Sequence, residues 1–302
     1  MKILLTGRAG QVAWELRRTL SPLGEVVALD RKTPLSLDLA DADSIRRATE
    51  TVQPDLIVNA AAYTAVDKAE QDRDAAFAVN GEAPGILAEQ ARRLGAGLIH
   101  YSTDYVFPGD AGTPYREDDA TGPQGAYGAS KLAGEQAIQA VGLLPHYILR
   151  TAWVYGNRGG NFLLTMLRLM REREVVRVVN DQLGAPTWSR LIAEATALLV
   201  ARSLDADGKF APGERAGIYH LSSSGQASWF EFASAIRESG RAAGLLAEAC
   251  ARVEGIPSGE YPTPAKRPAY SVLSNDKLSE TFGLRIPDWR EALALCLADS
   301  RQ

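Results

Sequence analysis

Cysteine is scarce in this chain. Only two of its 302 residues are cysteines, Cys250 and Cys296, and they stand far apart, without the spacing of a metal site or a redox pair. That argues against a thiol-based centre and fits a reducing cytoplasm. Long apolar runs are missing too: none approaches the roughly 18–20 residues that a membrane span needs. The first residues run straight into a strand pattern, with no charged leader, h-region and cleavage site, so no signal peptide is expected. A dominant charge sign is also lacking. Net charge is −4, with acidic and basic residues interspersed, so neither nucleic acid nor a membrane surface is expected as a partner. No internal repeat or low-complexity tract is visible.

What is present is an ordinary globular composition, 46% hydrophobic and 23% charged, in a chain long enough for one large α/β unit and an appendage. The first 150 residues alternate strand and helix. Short apolar runs at residues 3–5, 26–29, 56–58, 97–101 and 147–150 read as buried parallel strands. Helices are predicted over about 11–20, to about 50 from a cap at Asp41 or Asp43, over about 75–94 and over about 127–140. This order demands right-handed crossovers and a Rossmann-type α/β fold with a doubly wound parallel sheet. After Arg150 the rhythm loosens. Helices are predicted at 161–171, 188–201 and 229–238, strands at 175–179 and 218–221, and a loop over 205–217. The expected division is a dinucleotide-binding domain of residues 1–150 plus parts of about 175–204. An interleaved, smaller substrate-binding domain takes about 151–174 and 205–302.

The first strand ends in Gly7, Gly10 and Ala13, a GxxGxxA turn. Glycines there permit a tight bend and let backbone N–H groups approach a pyrophosphate at the helix N-terminus. Such a turn is a weak signal alone, since plain strand–helix turns also use glycine. Its position after the first strand, with Asp30 closing the second, strengthens it. Asp30 can accept from a ribose 2′-hydroxyl, as in NADH, whereas Arg31, Lys32 and Arg8 can neutralise the 2′-phosphate of NADPH, so use of both is expected. Asp38 and Leu39 are placed to meet the adenine. Ala60, Ala61 and Ala62 either line the cofactor or pack helix on sheet.

A second constellation carries the chemistry. Tyr127 and Lys131 lie four apart at the start of a predicted helix, on one face, with small residues between them. The spacing is common by chance. It gains weight from Thr103, a hydroxyl at the C-terminal end of the preceding strand, where open α/β sheets place ligands. Reducing a ketone needs a hydride on carbon and a proton on oxygen. Tyr127 can give the proton, Lys131 can lower the phenol's pKa through its charge and hold a ribose, and Thr103 can orient the carbonyl oxygen. The expected activity is hydride transfer by an NADPH- or NADH-dependent oxidoreductase.

These residues resemble the extended short-chain dehydrogenases/reductases, and within them the dTDP-4-dehydrorhamnose reductase family. The resemblance covers essentially the whole chain. It rests on segments 10–16, 59–67, 102–107, 150–156 and 180–187, and on Arg267-Pro268. It implies reduction of the C4 ketone of dTDP-4-dehydro-β-L-rhamnose, a dTDP-4-dehydro-6-deoxy-L-sugar. It adds Gln11, Val12, Tyr63 and Thr64 to the cofactor residues. It assigns Thr103, Asp104, Tyr105, Tyr127 and Trp153 to the sugar, with Asn161, Gln182 and Arg267 as further candidates. It also implies a Mg²⁺ bridge between subunits held by three glutamates. Glu15 and Glu291 match two of those positions, but Arg190 stands at the third. A guanidinium repels the ion and can pair with both carboxylates, so no metal is expected there and the chain is expected to be a monomer or weak homodimer. Two alternatives stay open: a non-catalytic NADP-binding subunit like that regulating methionine adenosyltransferase, and another nucleotide-sugar reductase or epimerase.

Overall fold

The computed structural model describes residues 1–300. Six strands form its main sheet: β1 (Lys2–Thr6), β2 (Glu25–Leu29), β3 (Leu56–Asn59), β4 (Gly97–Thr103), β5 (His146–Thr151) and β6 (Gly217–His220). Their order is β2-β1-β3-β4-β5-β6, and every pairing is parallel. The expected doubly wound α/β sheet is therefore present, and the strand order reverses beside β1, which opens a crevice at the strands' C-terminal ends.

Strand periodicity decides which side chains cover which face. Ile3 and Leu5 of β1 join one core cluster while Leu4 joins another. The first is closed by α1 (Gln11–Thr19) and a helix at Ser189–Ala201, through Leu16 and Ile192. The second is closed by α2 (Ala42–Val52), α3 (Ala83–Leu94) and α4 (Ala126–Val141), through Ile45, Leu87 and Ile138. Asp41 caps α2 by accepting from the Asp43 and Ser44 backbone N–H groups.

Two expectations about the later half give way. The strand at Gly217–His220, expected in the smaller domain, extends the main sheet beside β5. The β-branched run Val175–Val179, expected with the sheet domain, instead pairs in parallel with Arg252–Ile256 outside it. Its alternation explains this. Val176 and Val178 are buried among Met170, Phe232 and Ile236 of the smaller unit, while Arg177 faces out. Both faces of a main-sheet strand are covered by helices, which leaves no place for an outward arginine.

The predicted helix over 75–94 is also broken. Arg73–Phe77 is followed by a π-helical turn at Ala78–Glu82 and only then by α3. The wide turn carries Asn80, which is buried and accepts from the Tyr63 N–H at 2.9 Å while donating to the Tyr63 carbonyl at 3.0 Å and to Ser130 Oγ at 3.1 Å. A π-turn at a functional site is a common use of that geometry; here it ties the loop after β3 to the helix that carries Tyr127.

Candidate active site

The cofactor end is a cavity of about 430 Å³ where β1, β3 and β4 end. Gly7, Gly10, Gln11, Val12, Ala60, Ala61, Ala62, Thr64, Tyr127 and Lys131 line it, as expected from the sequence, with Ser102, Thr151 and Gly159 among the additions. Gly7 has φ +83°, a left-handed conformation that favours glycine, while the space beside Ala61 would admit a Cβ at 3.5 Å. Gly10 then starts α1, whose first N–H groups lack intrahelical partners and face an anion site. Two buried hydroxyls on the lining, Ser102 Oγ and Thr151 Oγ1, have no hydrogen-bond partner. Unpaired N–H groups at one end and orphaned hydroxyls at the other fit a dinucleotide, with a diphosphate to accept and ribose oxygens to pair.

The remaining expected cofactor residues lie outside that lining. Asp30 ends β2 beside the turn, since Gly7 N–H donates to the Leu29 carbonyl at 2.7 Å. Its Oδ1 accepts from the Lys32 N–H at 2.8 Å. Arg8, Arg31 and Lys32 are exposed around it. Asp38 Oδ1 accepts from the Ala40 N–H, and Leu39 is buried in the core over α2. Tyr63 donates from its hydroxyl to Asp72 at 3.2 Å and packs near Tyr127.

The catalytic end forms where β4 meets α4. Thr103 caps the short turn Asp104–Val106, accepting from the Tyr105 N–H and donating to Asp104 Oδ1 at 2.9 Å. A Cβ on Gly128 would fall 2.2 Å from the Tyr105 carbonyl, so α4 sits directly on that turn and delivers Tyr127 beside Thr103. The Tyr105 and Tyr127 rings meet edge to face at 5.5 Å. Burial pushes the Tyr127 phenol up to about 12, against a hydrogen bond with Thr103 that lowers it. Burial also brings the Lys131 amine down to about 8. The Lys131 amine has no hydrogen bond with the phenol and is not among the groups that shift its pKa, so the lowering by its charge expected from the sequence is not seen. It donates to the Tyr101 carbonyl at 2.6 Å and lies 3.2 Å from His100 Nε2, because the side chain runs under the sheet's end. Sequence reasoning missed His100: a single histidine within a buried strand carries no spacing signal.

On the substrate side, burial raises the Asp104 carboxyl from 3.8 to about 6, against hydrogen bonds with Ser271 and Thr103 that lower it. Its Oδ2 has no partner. An acid that binds its proton more tightly when folded makes the fold less stable as pH rises from its unfolded to its folded pKa. Asp104→Asn is expected to remove that fall. By urea unfolding, the variant should match the wild type below about pH 4 and exceed it by about 2–3 kcal/mol above about pH 6. A wild-type stability that does not decline over this interval would refute the assignment.

Trp153 follows β5 with φ +45°, a strained value for a tryptophan. Its ring stacks on Trp229 at 3.4 Å with 3° between planes. Trp229 had no sequence signal beyond opening the helix predicted over 229–238, which the structure extends to Trp229–Ala242. Arg267 pairs with Asp67 at 2.7 Å, which straps the 261–270 segment across the loop after β3. Asn161 is spent on Gln11 Oε1 at 3.0 Å and on capping Phe162–Glu172, and Gln182 is half-buried.

The expected Arg190 pairing is half right. Arg190 meets Glu15 at 3.2 Å, but its second partner is Asp299 at 2.8 Å, not Glu291, which is exposed. Asp299 is the last residue of the helix Trp289–Asp299 and reaches the guanidinium from there, while Glu291 lies in the first turn. Among the described residues no cluster of His, Cys, Asp and Glu is arranged to hold a metal.

Comparison with known proteins agrees with this geometry. The family described as the RmlD substrate binding domain matches residues 1–302. A dTDP-4-dehydrorhamnose reductase of Burkholderia thailandensis is 51% identical over 302 residues, which is 99% of each chain. The crystal structure of a dTDP-4-dehydrorhamnose reductase ortholog from Clostridium acetobutylicum superposes with a TM-score of 0.88 at 36% identity over 100% of both chains. That of the Bacillus anthracis dTDP-4-dehydrorhamnose reductase, in complex with NADP, gives 0.87 at 34% identity over 99% of both.

Proposed function

We propose, on the premise that the chain belongs to the RmlD family of dTDP-4-dehydrorhamnose reductases, that Tyr127, Lys131 and Thr103 are the residues with which it works. The protein is an NAD(P)H-dependent oxidoreductase of dTDP-L-rhamnose biosynthesis, reducing the C4 ketone of dTDP-4-dehydro-β-L-rhamnose. The observation that carries the residue roles is that Tyr127 and Lys131 line a cavity opened by a glycine turn, with Thr103 beside the phenol.

The cofactor, when bound, supplies the hydride. The α1 N-terminus would hold its diphosphate, and Ser102, Thr151 and Lys131 are positioned for its ribose oxygens. Tyr127 holds the proton destined for O4, and the raised phenol pKa keeps that proton in place at neutral pH. Thr103 orients the carbonyl oxygen from the β4 end. Asp104, Tyr105 and Trp153 bound the sugar, and Arg267 meets the nucleotide side. Asp30 beside exposed Arg8 and Arg31 suits both NADH and NADPH. No helix among the described residues is long and apolar enough to cross a membrane, and neither cysteine is in a disulfide. We infer a cytoplasmic reaction, since a reducing compartment keeps cysteines such as Cys250 and Cys296 free. Arg190 filling the space between Glu15 and Asp299 supports a monomer or weak homodimer without a bridging metal.

The deciding experiment incubates the protein with dTDP-4-dehydrorhamnose and NADPH or NADH, followed by nicotinamide absorbance and product analysis. Oxidation with formation of dTDP-L-rhamnose is expected with both. Cofactor binding without oxidation would point to the non-catalytic regulatory reading. Purification with stoichiometric, tightly held NAD would point to an epimerase.

A further inference from the structure

Beneath the cofactor cavity a row of three polar side chains, none given a role above, leads to Lys131. Strand register creates it: Thr6 of β1 pairs with Asn59 of β3, and Asn59 with His100 of β4. Thr6 Oγ1 accepts from the Ala61 N–H at 3.1 Å and donates to Asn59 Oδ1 at 2.6 Å. Asn59 Nδ2 lies 2.9 Å from His100 Nδ1, and His100 Nε2 lies 3.2 Å from Lys131 Nζ. All four side chains are buried, each at 2% exposure or less. Such a row is costly unless every member is satisfied.

The polarity of the row follows from its first member. Thr6 gives its only proton to Asn59 Oδ1, which fixes the amide with its N–H toward His100. His100 Nδ1 is then an acceptor. Burial holds the imidazole neutral, with its pKa well below 6.5, so its single proton sits on Nε2 and faces Lys131. An N–H aimed at a neutral amine makes a hydrogen bond; aimed at an ammonium it is repelled.

We propose that His100 is a positioning residue for Lys131: Thr6 and Asn59 lock its Nε2–H tautomer, and that N–H stabilises the neutral amine so that Lys131 can release a proton during turnover. This rests on the roles assigned to Tyr127 and Lys131 above. In each reduction the Tyr127 phenol gives its proton to the substrate oxygen as hydride reaches carbon. The tyrosinate then regains a proton that starts from the Lys131 ammonium and crosses the cavity both residues line, through a hydroxyl or water between them, and solvent re-protonates the amine. Burial of Lys131 to about 8 and of Tyr127 to about 12 makes that return favourable. Of the charged groups around Lys131, Glu135 raises its pKa and so opposes release. Glu135, one turn on in α4, is held by Arg150 of β5 at 2.7 Å. The Tyr101 phenol of β4 is tied to Thr196 at 2.7 Å, and Asp104 stands beyond Thr103.

The test is ¹⁵N-histidine NMR of the whole protein, with His100 identified by loss of its signals in His100→Gln. The expected spectrum shows a neutral ring with a protonated Nε2 and a bare Nδ1 across the neutral range. A protonated Nδ1, or an imidazolium, overturns the proposal without touching the reductase reading. Asn59→Asp replaces the donor with an acceptor, moves the proton to Nδ1 and leaves Nε2 free to accept from an ammonium. The basic limb of its kcat/KM pH profile is expected about one pH unit higher than in the wild type. An unmoved limb in folded Asn59→Asp with reversed tautomer also overturns it. If that variant does not fold, the wild-type spectrum decides alone. Lys131→Met tests the underlying reading separately: should its basic limb persist, the role of Lys131 fails, whatever the tautomer of His100.

Discussion

Tyr127→Phe is expected to lower kcat by about 10²–10⁴-fold while leaving the affinity for NADPH nearly unchanged. The substitution removes one hydroxyl and keeps the ring, so the edge-to-face contact with Tyr105 at 5.5 Å survives. The glycine turn, the α1 N-terminus and the Ser102 and Thr151 hydroxyls lie apart from the phenol and are untouched. Only the proton for the substrate oxygen is lost, and no neighbour replaces it well. Thr103 donates to Asp104 and has an alcohol's weak acidity. The Lys131 amine faces Tyr101 and His100. Steady-state turnover and a fluorescence titration with NADPH separate the two effects. Activity within tenfold of the wild type would move the acid role to Asp104, whose raised pKa leaves it partly protonated near about pH 6.

Arg150→Met is expected to cost about 3–5 kcal/mol of folding stability, measured by urea unfolding. Arg150 of β5 and Glu135 of α4 are only 3% and 1% exposed and meet through two guanidinium nitrogens at 2.7–3.3 Å. The arginine also lies 5.0 Å over the Phe107 ring. Removing it leaves a carboxylate in the protein interior with no partner, and that desolvation dominates the loss. The pair itself adds little net stability over apolar residues of the same volume. The double variant Glu135→Leu/Arg150→Met is therefore expected to recover most of the loss. A single variant within about 1 kcal/mol of the wild type would mean that water reaches Glu135.

The sheet was legible because each strand is a short apolar run ending in glycine, aspartate or a small residue, and both faces are covered. The same logic failed at Val175–Val179. Its valines suit any buried strand, and the partner Arg252–Ile256, with Arg252, Glu254 and Gly255, has no strand pattern to find. The break before α3 was hidden because a π-turn changes one residue of register and leaves the apolar spacing almost intact. The site was readable where chemistry needs a residue type at a fixed spacing, as with Tyr127 and Lys131 or Gly7 and Gly10. It was unreadable where function depends on distance in space alone. Asp299 reaches Arg190 across more than a hundred residues, and His100 meets Lys131 only because β4 and α4 pack together.

Arg190 joins Glu15 of α1 to Asp299, and the Ser300 hydroxyl donates to Asn157 Oδ1 at 2.6 Å close by. The cofactor turn is thus written in the first dozen residues but fastened by residues near 300. Synthesis proceeds from the N-terminus, so a nascent chain carries its nucleotide-binding turn unfastened until residues 289–299 have emerged. Ribosome-bound intermediates stopped before residue 289 would hold the turn without its clamp. The link between α1 and the last helix therefore closes only once Trp289–Asp299 has been made and has docked.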